Sequence, residues 1–379
     1  MSGRRVNGDG SLYQRTSDGL WMGVAHFGYD TRGRPIRKSV SARTKAQAAK
    51  KLNALIRQRD DGLPPPDNRL TVTRMLTRWY DEELRVQVAP STADNYRSIF
   101  THHIVPMLGR KTVANTSMAD ISRLMTAKLD EGLSASTVRR IRAVLVQALD
   151  YAVREGTVAR NVAALTKGPK MSRQEGRTLT PDQAKCLLAS LHDHRYEALY
   201  VLMLTTGLRR GEALGLKWED LDLARGTVTI RRQLKREGGQ LITSDTKTAK
   251  SRRAVNLPAP VVQVLREHRT HQKRDRLALG PAWHESGFVF TSQIGTPVDP
   301  RNLYRDFASV CKKAKIGQWH PHELRHSAAS LMLAQGVPLQ VVSDVLGHSS
   351  IRLTADVYGH VLAPAREAAA DAMTEVLWT

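Results

Sequence analysis

Residues 320–330 read HPHELRHSAAS, and within them His322, Glu323 and His326 carry the His-Glu-x-x-His spacing of zinc hydrolases. Two histidines four apart lie on one helical face and can share a zinc ion, with the intervening glutamate as general base. A catalytic zinc needs a third protein ligand, and the following stretch, SAASLMLAQGVP, offers no Asp, Glu or His. Arg325 would also set a fixed cation inside the motif. A second chemistry fits the same helix. His322 and Arg325, three apart, present a hydrogen-bonding ring and a forked guanidinium together. That pair suits a phosphate, which arginine grips through two parallel hydrogen bonds as lysine and histidine cannot.

Other residues suited to phosphate chemistry are scattered along the chain. In LTTGLRRGEALGLKWEDLDL, at 204–223, Gly207 permits a tight approach just before Arg209, and Glu212 follows three residues later. Lys247 lies in SDTKTAKSRR, at or near a turn between two strands, and VLGHSSIRLTADVYGHV places His348 ten residues before Tyr358. Taken singly, each has an ordinary reading: Arg209 as an ion pair with Glu212, Lys247 as a solvated loop residue, Tyr358 as a packed aromatic.

Their order is more specific than any member. Arg209, Lys247, His322 with Arg325, His348 and Tyr358 resemble, in sequence, the Arg, Lys, His-x-x-Arg, His, Tyr series of the tyrosine recombinases. The strings TTGLRRGEAL, HELRHSAAS and LGHSSIRLTADVYGH resemble the family's motifs too, so that the likeness covers nearly all of 177–362 with no position substituted. It implies a site-specific DNA recombinase of the integrase type. The Tyr358 oxygen would attack a phosphodiester to leave a 3′-phosphotyrosyl link, and strand exchange would pass through a Holliday junction to integrate or excise a phage or other mobile element. The bond energy is kept in the covalent intermediate, so neither ATP nor any other cofactor is implied. Arg209 and Arg325 would clamp the non-bridging oxygens, replacing the metal ions of many nucleases. A tyrosine with a pKa near 10 needs help to lose its proton. His322 is expected to accept it, Lys247 to protonate the departing 5′ oxygen and His348 to donate to the phosphate. Glu212 is expected to orient the first arginine or a histidine, while Glu323 and His326 are left with capping or solvated-charge roles.

The elements that must hold these residues are legible from pattern. Within residues 1–62, SLYQR, LWMGVAHFGY and IRKSVSA predict three strands separated by Asp18-Gly19 and DTRGRP, and Thr44 predicts the start of a helix burying Ala48, Leu52, Leu55 and Ile56. Arg32, Arg34, Arg37 and Lys38 crowd one turn and strand of this unit, and a ribbon of that size can enter a major groove. The unit resembles the arm-binding domain of phage integrases. DGLPPPDN predicts a linker across 63–69, because consecutive prolines stop helix and sheet alike. A helical unit is expected over 70–165. In it Ser91 and Asp94 form a capping-box-like start, two helices lie near 118–131 and 135–155, and the second carries a stripe of Val138, Ile141, Val144, Leu145, Ala148 and Leu149. It resembles the family's core-binding domain. After a basic linker at 166–176, residues 177–379 predict a mixed α+β catalytic domain with strands in GTVTIRRQ, QLITSDTK and RRAVNLP and a tail helix in AREAAADAMTEVLW. The fold class is thus multidomain and mainly α with small β elements.

The whole chain agrees with such a partner. It has 58 Lys plus Arg against 36 Asp plus Glu among 379 residues, a net charge of +22, which attracts a polyanion. The basic residues are mixed with apolar periodicity, as on a folded surface. Cys186 and Cys311 stand far apart and form no metal motif or disulfide framework, no apolar run reaches the roughly 20 residues that span a bilayer, and MSGRRVNGDG lacks a secretory core. A bacterial cytoplasm is the expected compartment. The partners implied are double-stranded DNA at core and arm-type sites, three further copies in a tetramer, a host DNA-bending protein and an excisionase. A type IB topoisomerase or a resolvase would share the catalytic residues, and a regulator without catalysis would share the charge.

Overall fold

The structure, a computed structural model, describes residues 10–29, 32–62, 69–171, 176–245, 252–348, 350–358, 373 and 375–377. The linker at 63–68 and most of the expected tail helix lie outside these residues. The chain divides into two compact units, 1–172 and 173–379. No described helix is long and apolar enough to cross a membrane.

The first unit opens with an antiparallel sheet of β1 (Ser11–Gln14), β2 (Trp21–Tyr29) and β3 (Pro35–Ala42), followed by α1 (Lys45–Asp60). Thr44 caps α1 by accepting from the Gln47 amide at 3.3 Å. Ala48, Leu52 and Leu55 of α1 are buried, the two leucines in one cluster with Ala25, and Val40 and Ile56 pack at its edge. Because successive strand residues face opposite ways, β3 sorts the basic residues expected together. Arg37, beside His26, is exposed, whereas Lys38, beside Ala25, is half-buried on the face that meets α1.

The helices that follow are α2 (Val72–Trp79), α3 (Pro90–Ile99), α4 (Met118–Asp130) and α5 (Ala135–Arg154). The start of α3 differs from the expectation: Pro90 is its first residue and Ala89 supplies no side-chain cap, so Ser91 lies inside the first turn and Asp94 just beyond it. Proline performs the initiation, since its fixed φ suits a helix start where no amide donor is needed. α4 has the capping box instead, with Ser117 accepting from the Asp120 amide and Asp120 accepting from the Ser117 amide. The stripe on α5 is the centre of the core, with all six expected residues at most 2% exposed and packed with Leu76, Trp79, Ile104 and Leu124. Each of the larger side chains contributes roughly 1.5–3 kcal/mol by leaving water.

The second unit is built around α7 (Glu197–Thr206), which follows α6 (Pro181–Ser190). Its sequence, EALYVLMLTT, is apolar on all sides, and seven of its apolar residues are buried. Around it lie the short α8 (Arg210–Leu214), the long α9 (Ala259–Leu279), α10 (Pro300–Lys313), α11 (Glu323–Ala334), α12 (Leu339–Leu346) and α13 (Ile351–Tyr358). Tyr200 ties α7 to α10 by donating to Asp306 at 2.7 Å. The stretch read as three consecutive strands makes two sheets. GTVTIRRQ breaks at Arg231 into β5 (Thr227–Ile230) and β6 (Arg232–Glu237). β5 pairs with β4 (Leu221–Asp222) and β8 (Arg253–Asn256), while β6 pairs with β7 (Gln240–Asp245). Arg232 is drawn to buried Asp220 at 2.6 Å, next to the break.

Candidate active site

Two glycines in left-handed backbone position the arginines. α7 ends at Gly207, φ +64°, where a Cβ would lie 2.4 Å from Leu346 Cδ2. Its carbonyl accepts from Arg325 Nη1 at 2.8 Å. α12 ends at Gly347, φ +66°, where a Cβ would lie 2.7 Å from an Arg253 nitrogen. Its carbonyl accepts from Arg209 Nη2 at 3.3 Å. Glycine alone adopts this conformation without strain, and it alone leaves room for a guanidinium against the backbone.

Glu212 is the hinge of the cluster. It is 2% exposed, accepts from Arg209 Nη1 at 2.7 Å and the Arg209 amide at 3.0 Å, and accepts from Arg253 Nη2 at 3.0 Å. Burial pushes its carboxyl up, but Arg253 and Arg209 outweigh that and hold it below the ordinary glutamate value. The expected orienting role thus has a geometry, and it extends to Arg253, which sequence reading passed over. Arg253 begins β8, donates through Nε to the Val345 carbonyl at 2.6 Å and so links α8, β8 and the end of α12. The only sequence signal for it was its place in the SRR run after Lys247.

Arg325 lies 3% exposed on α11, and its Nη2 is buried with no hydrogen-bond partner among the described residues. Burial, then Arg209, pushes its pKa down to about 9, with Glu212 opposing. Two guanidiniums, Arg209 and Arg253, thus bond one buried carboxylate, and Arg325 feels its charge without bonding to it. Leaving a buried donor unmet costs about 1–3 kcal/mol, more for a charged group, and an arriving anion would remove that cost.

The histidines are held neutral by the same crowding. Burial, then His326 and Arg325, pushes His322 down to about 4. The residue is exposed, so water screens part of this effect. Burial, then Arg325 and Arg209, pushes His348 down to about 4 as well. The His348 ring is fixed through Nδ1 by Thr354 Oγ1 at 2.7 Å, leaving Nε2 as its other polar atom.

Tyr358 is 2% exposed, packed with Ala329, Leu333, Val342 and Leu346. Burial raises its hydroxyl to about 12, with Arg325 pulling the other way. Its Oη sits 2.6 Å from His326 Nδ1. This corrects the capping or solvated role expected of His326: the ring is half-buried and bonded to the tyrosine, because α11 turns it toward α13. His322, expected to take the phenol's proton, stands just before α11 with its ring edge-on to His326, centroids 5.2 Å apart. Glu323 does cap, accepting from the His320 amide at 2.6 Å. Among the described residues, no three His, Cys, Asp or Glu side chains converge as metal ligands. Lys247 lies outside the described residues, between β7 and β8. Five of the six expected catalytic residues, Arg209, His322, Arg325, His348 and Tyr358, thus line one site.

Comparison with known proteins identifies the family. Residues 177–364 match the model of the phage integrase family and 73–169 that of the phage integrase central domain. An integrase of Streptomyces ambofaciens is 33% identical over 96% of this chain and 95% of its own. A tyrosine recombinase XerC-like protein of Caldanaerobacter subterraneus is 29% identical over 92% and 94%. Among solved structures, the Tn1549 transposon integrase in complex with transposon right-end DNA superposes with a TM-score of 0.68 at 21% identity, covering 82% of this chain and all of that one. By residues, by fold and by relatives alike, the chain belongs to the phage integrase family of tyrosine recombinases, enzymes that cleave and rejoin DNA.

Proposed function

We propose that this chain is the integrase of a mobile element, using Tyr358 to cleave and rejoin DNA at a defined crossover site. The observation that carries the reading is Arg325 Nη2, buried beside Arg209 with no hydrogen-bond partner among the described residues, in a cluster that holds the tyrosine hydroxyl. A scissile phosphate is the anion that would complete it. The Tyr358 oxygen forms a bond to phosphorus as the bond to the 5′ oxygen breaks, giving a 3′-phosphotyrosine and a free 5′ hydroxyl. Attack by that hydroxyl of a second strand reverses the step.

Arg209 and Arg325 stabilise the charge that grows on the non-bridging oxygens, and they are pre-positioned by Glu212 and the two glycine carbonyls, so no reorganisation is needed during reaction. His322 and His348, neutral near pH 7, donate to the same phosphate. Lys247 supplies the proton to the leaving oxygen. Two adjoining assignments follow from the same reading: residues 1–62 bind arm-type DNA through the exposed face of the sheet that carries Arg37, and 70–165 form the core-binding domain. A lambda integrase has been solved as a tetramer bound to a Holliday junction, and we assign the same assembly to this chain. A DNA-bending host protein and an excisionase complete the expected partners.

Trapping on nicked suicide DNA tests the centre of this reading. The substrate carries the crossover sequence read from the junctions of the integrated element. The full chain should form a covalent adduct mapping to Tyr358, and Tyr358→Phe should bind the DNA without forming one. An adduct on the Phe variant would overturn the assignment.

A further inference from the structure

Resting on that reading, we propose that His326 is itself a catalytic residue, which holds the Tyr358 hydroxyl and receives its proton through Nδ1 as the phosphotyrosyl bond forms.

The geometry is direct. Nδ1 of His326 and Oη of Tyr358 are 2.6 Å apart, a short hydrogen bond between a ring nitrogen and a phenol. No carboxylate competes for the phenol among its described hydrogen bonds, and the ring centroids lie 5.8 Å apart with α11 and α13 fixing both partners. In the tautomer with its hydrogen on Nε2, His326 accepts from the phenol at Nδ1, and the proposed transfer uses that tautomer. The surroundings favour that state. His326 faces Tyr358 from α13, His322, Glu323 and Arg325 from its own helix, and His348 beyond α12. Burial, then Arg325, lowers its pKa, and only Glu323 opposes them. Gly176 lies against its other side, where a Cβ would touch the ring at 3.4 Å.

With the phenol raised to about 12 and the imidazole below its ordinary value, the resting pair keeps the proton on oxygen. Transfer becomes favourable only while oxygen gives its electron pair to phosphorus, which is the condition for general-base catalysis. The proton passes from Tyr358 Oη to His326 Nδ1, the O–P bond forms, and the 5′ oxygen departs with a proton from the acid. In the reverse step His326 returns the proton to the leaving phenol. The charge created on His326 sits beside a phosphate that has become bound, which compensates it. His322 remains free to serve the phosphate.

The test is single-turnover cleavage of the suicide DNA across pH by the full chain. His326→Asn keeps an acceptor near the Nδ1 position but cannot take the proton. It should bind DNA normally, cleave about 10²–10⁴-fold more slowly, and gain rate continuously with rising pH where the native chain is flat. A substrate with sulfur in place of the bridging 5′ oxygen needs no proton on its leaving group, so it should rescue Lys247→Ala and leave His326→Asn slow. Cleavage by His326→Asn at the native rate, rescue of it by the sulfur substrate, or loss of the pH plateau on His322→Asn alone would overturn the proposal. Failure of the native chain to form a Tyr358 adduct would instead remove the functional reading beneath it.

Discussion

At the scale of single residues, the site is an exercise in placing like charges together and leaving one hydrogen bond open. Arg325 donates through Nη1 to the Gly207 carbonyl and has Nη2 buried with no partner among the described residues. A lysine there has one ammonium for both tasks and cannot span them. Arg325→Lys should therefore fold and bind DNA yet cleave about 10²–10³-fold more slowly, the loss typical of removing one charge-stabilising donor. Single-turnover cleavage set against DNA affinity checks this, and a Lys variant within a few-fold of native would show that Nη2 does not reach the phosphate. Arg209, His322, Arg325, His348 and Tyr358 stood out because their types and order resemble one family's series, and the structure places the five close together. Arg253 and His326 were missed, for opposite reasons. Arg253 acts through Glu212, a contact that brings together residues 41 apart in the chain. His326 was conspicuous as part of a zinc-like spelling and was set aside with it; which ring met the tyrosine depended on the packing of α11 against α13, to which spacing within the motif is blind.

Elements were read best where one physical rule dominated. The α5 stripe and the Thr44 cap follow from helical period and from a side chain that can accept an amide, and both stand as expected. The start of α3 and the break in GTVTIRRQ did not follow, because proline geometry overrode a capping pattern and the chain breaks at Arg231, where Arg231 and Arg232 both pair with buried Asp220. Gly207 is where local backbone and site geometry coincide. Gly207→Ala forces a side chain into φ +64° and sets a Cβ 2.4 Å from Cδ2 of the fully buried Leu346. The strain and the overpacking together should cost about 2–4 kcal/mol. Pulse proteolysis of the full chain in urea should show the second unit opening at lower denaturant while the first is unchanged. An unshifted midpoint would mean that the α7–α8 corner relaxes freely.

For the whole molecule, the excess of 58 basic over 36 acidic residues acts through the partner it selects. If roughly six to ten phosphates are contacted, affinity should fall by about 10³–10⁵ between 50 and 200 mM salt, because each neutralised phosphate adds about −0.9 to the slope of log K against log salt. The fold says which charges count. Along β3 the side chains alternate, so Arg37 belongs to the exposed face proposed for DNA and Lys38 to the face that meets α1. On duplexes from the flanks of the attachment site, Arg37→Ala should make the slope shallower by about 1, whereas Lys38→Ala should leave it unchanged. Composition would treat the two positions alike, and so would a tail of unpatterned charge. Equal effects from both substitutions would mean that the sheet does not approach DNA by this face, and the arm-binding assignment for residues 1–62 would have to move to another surface of the unit.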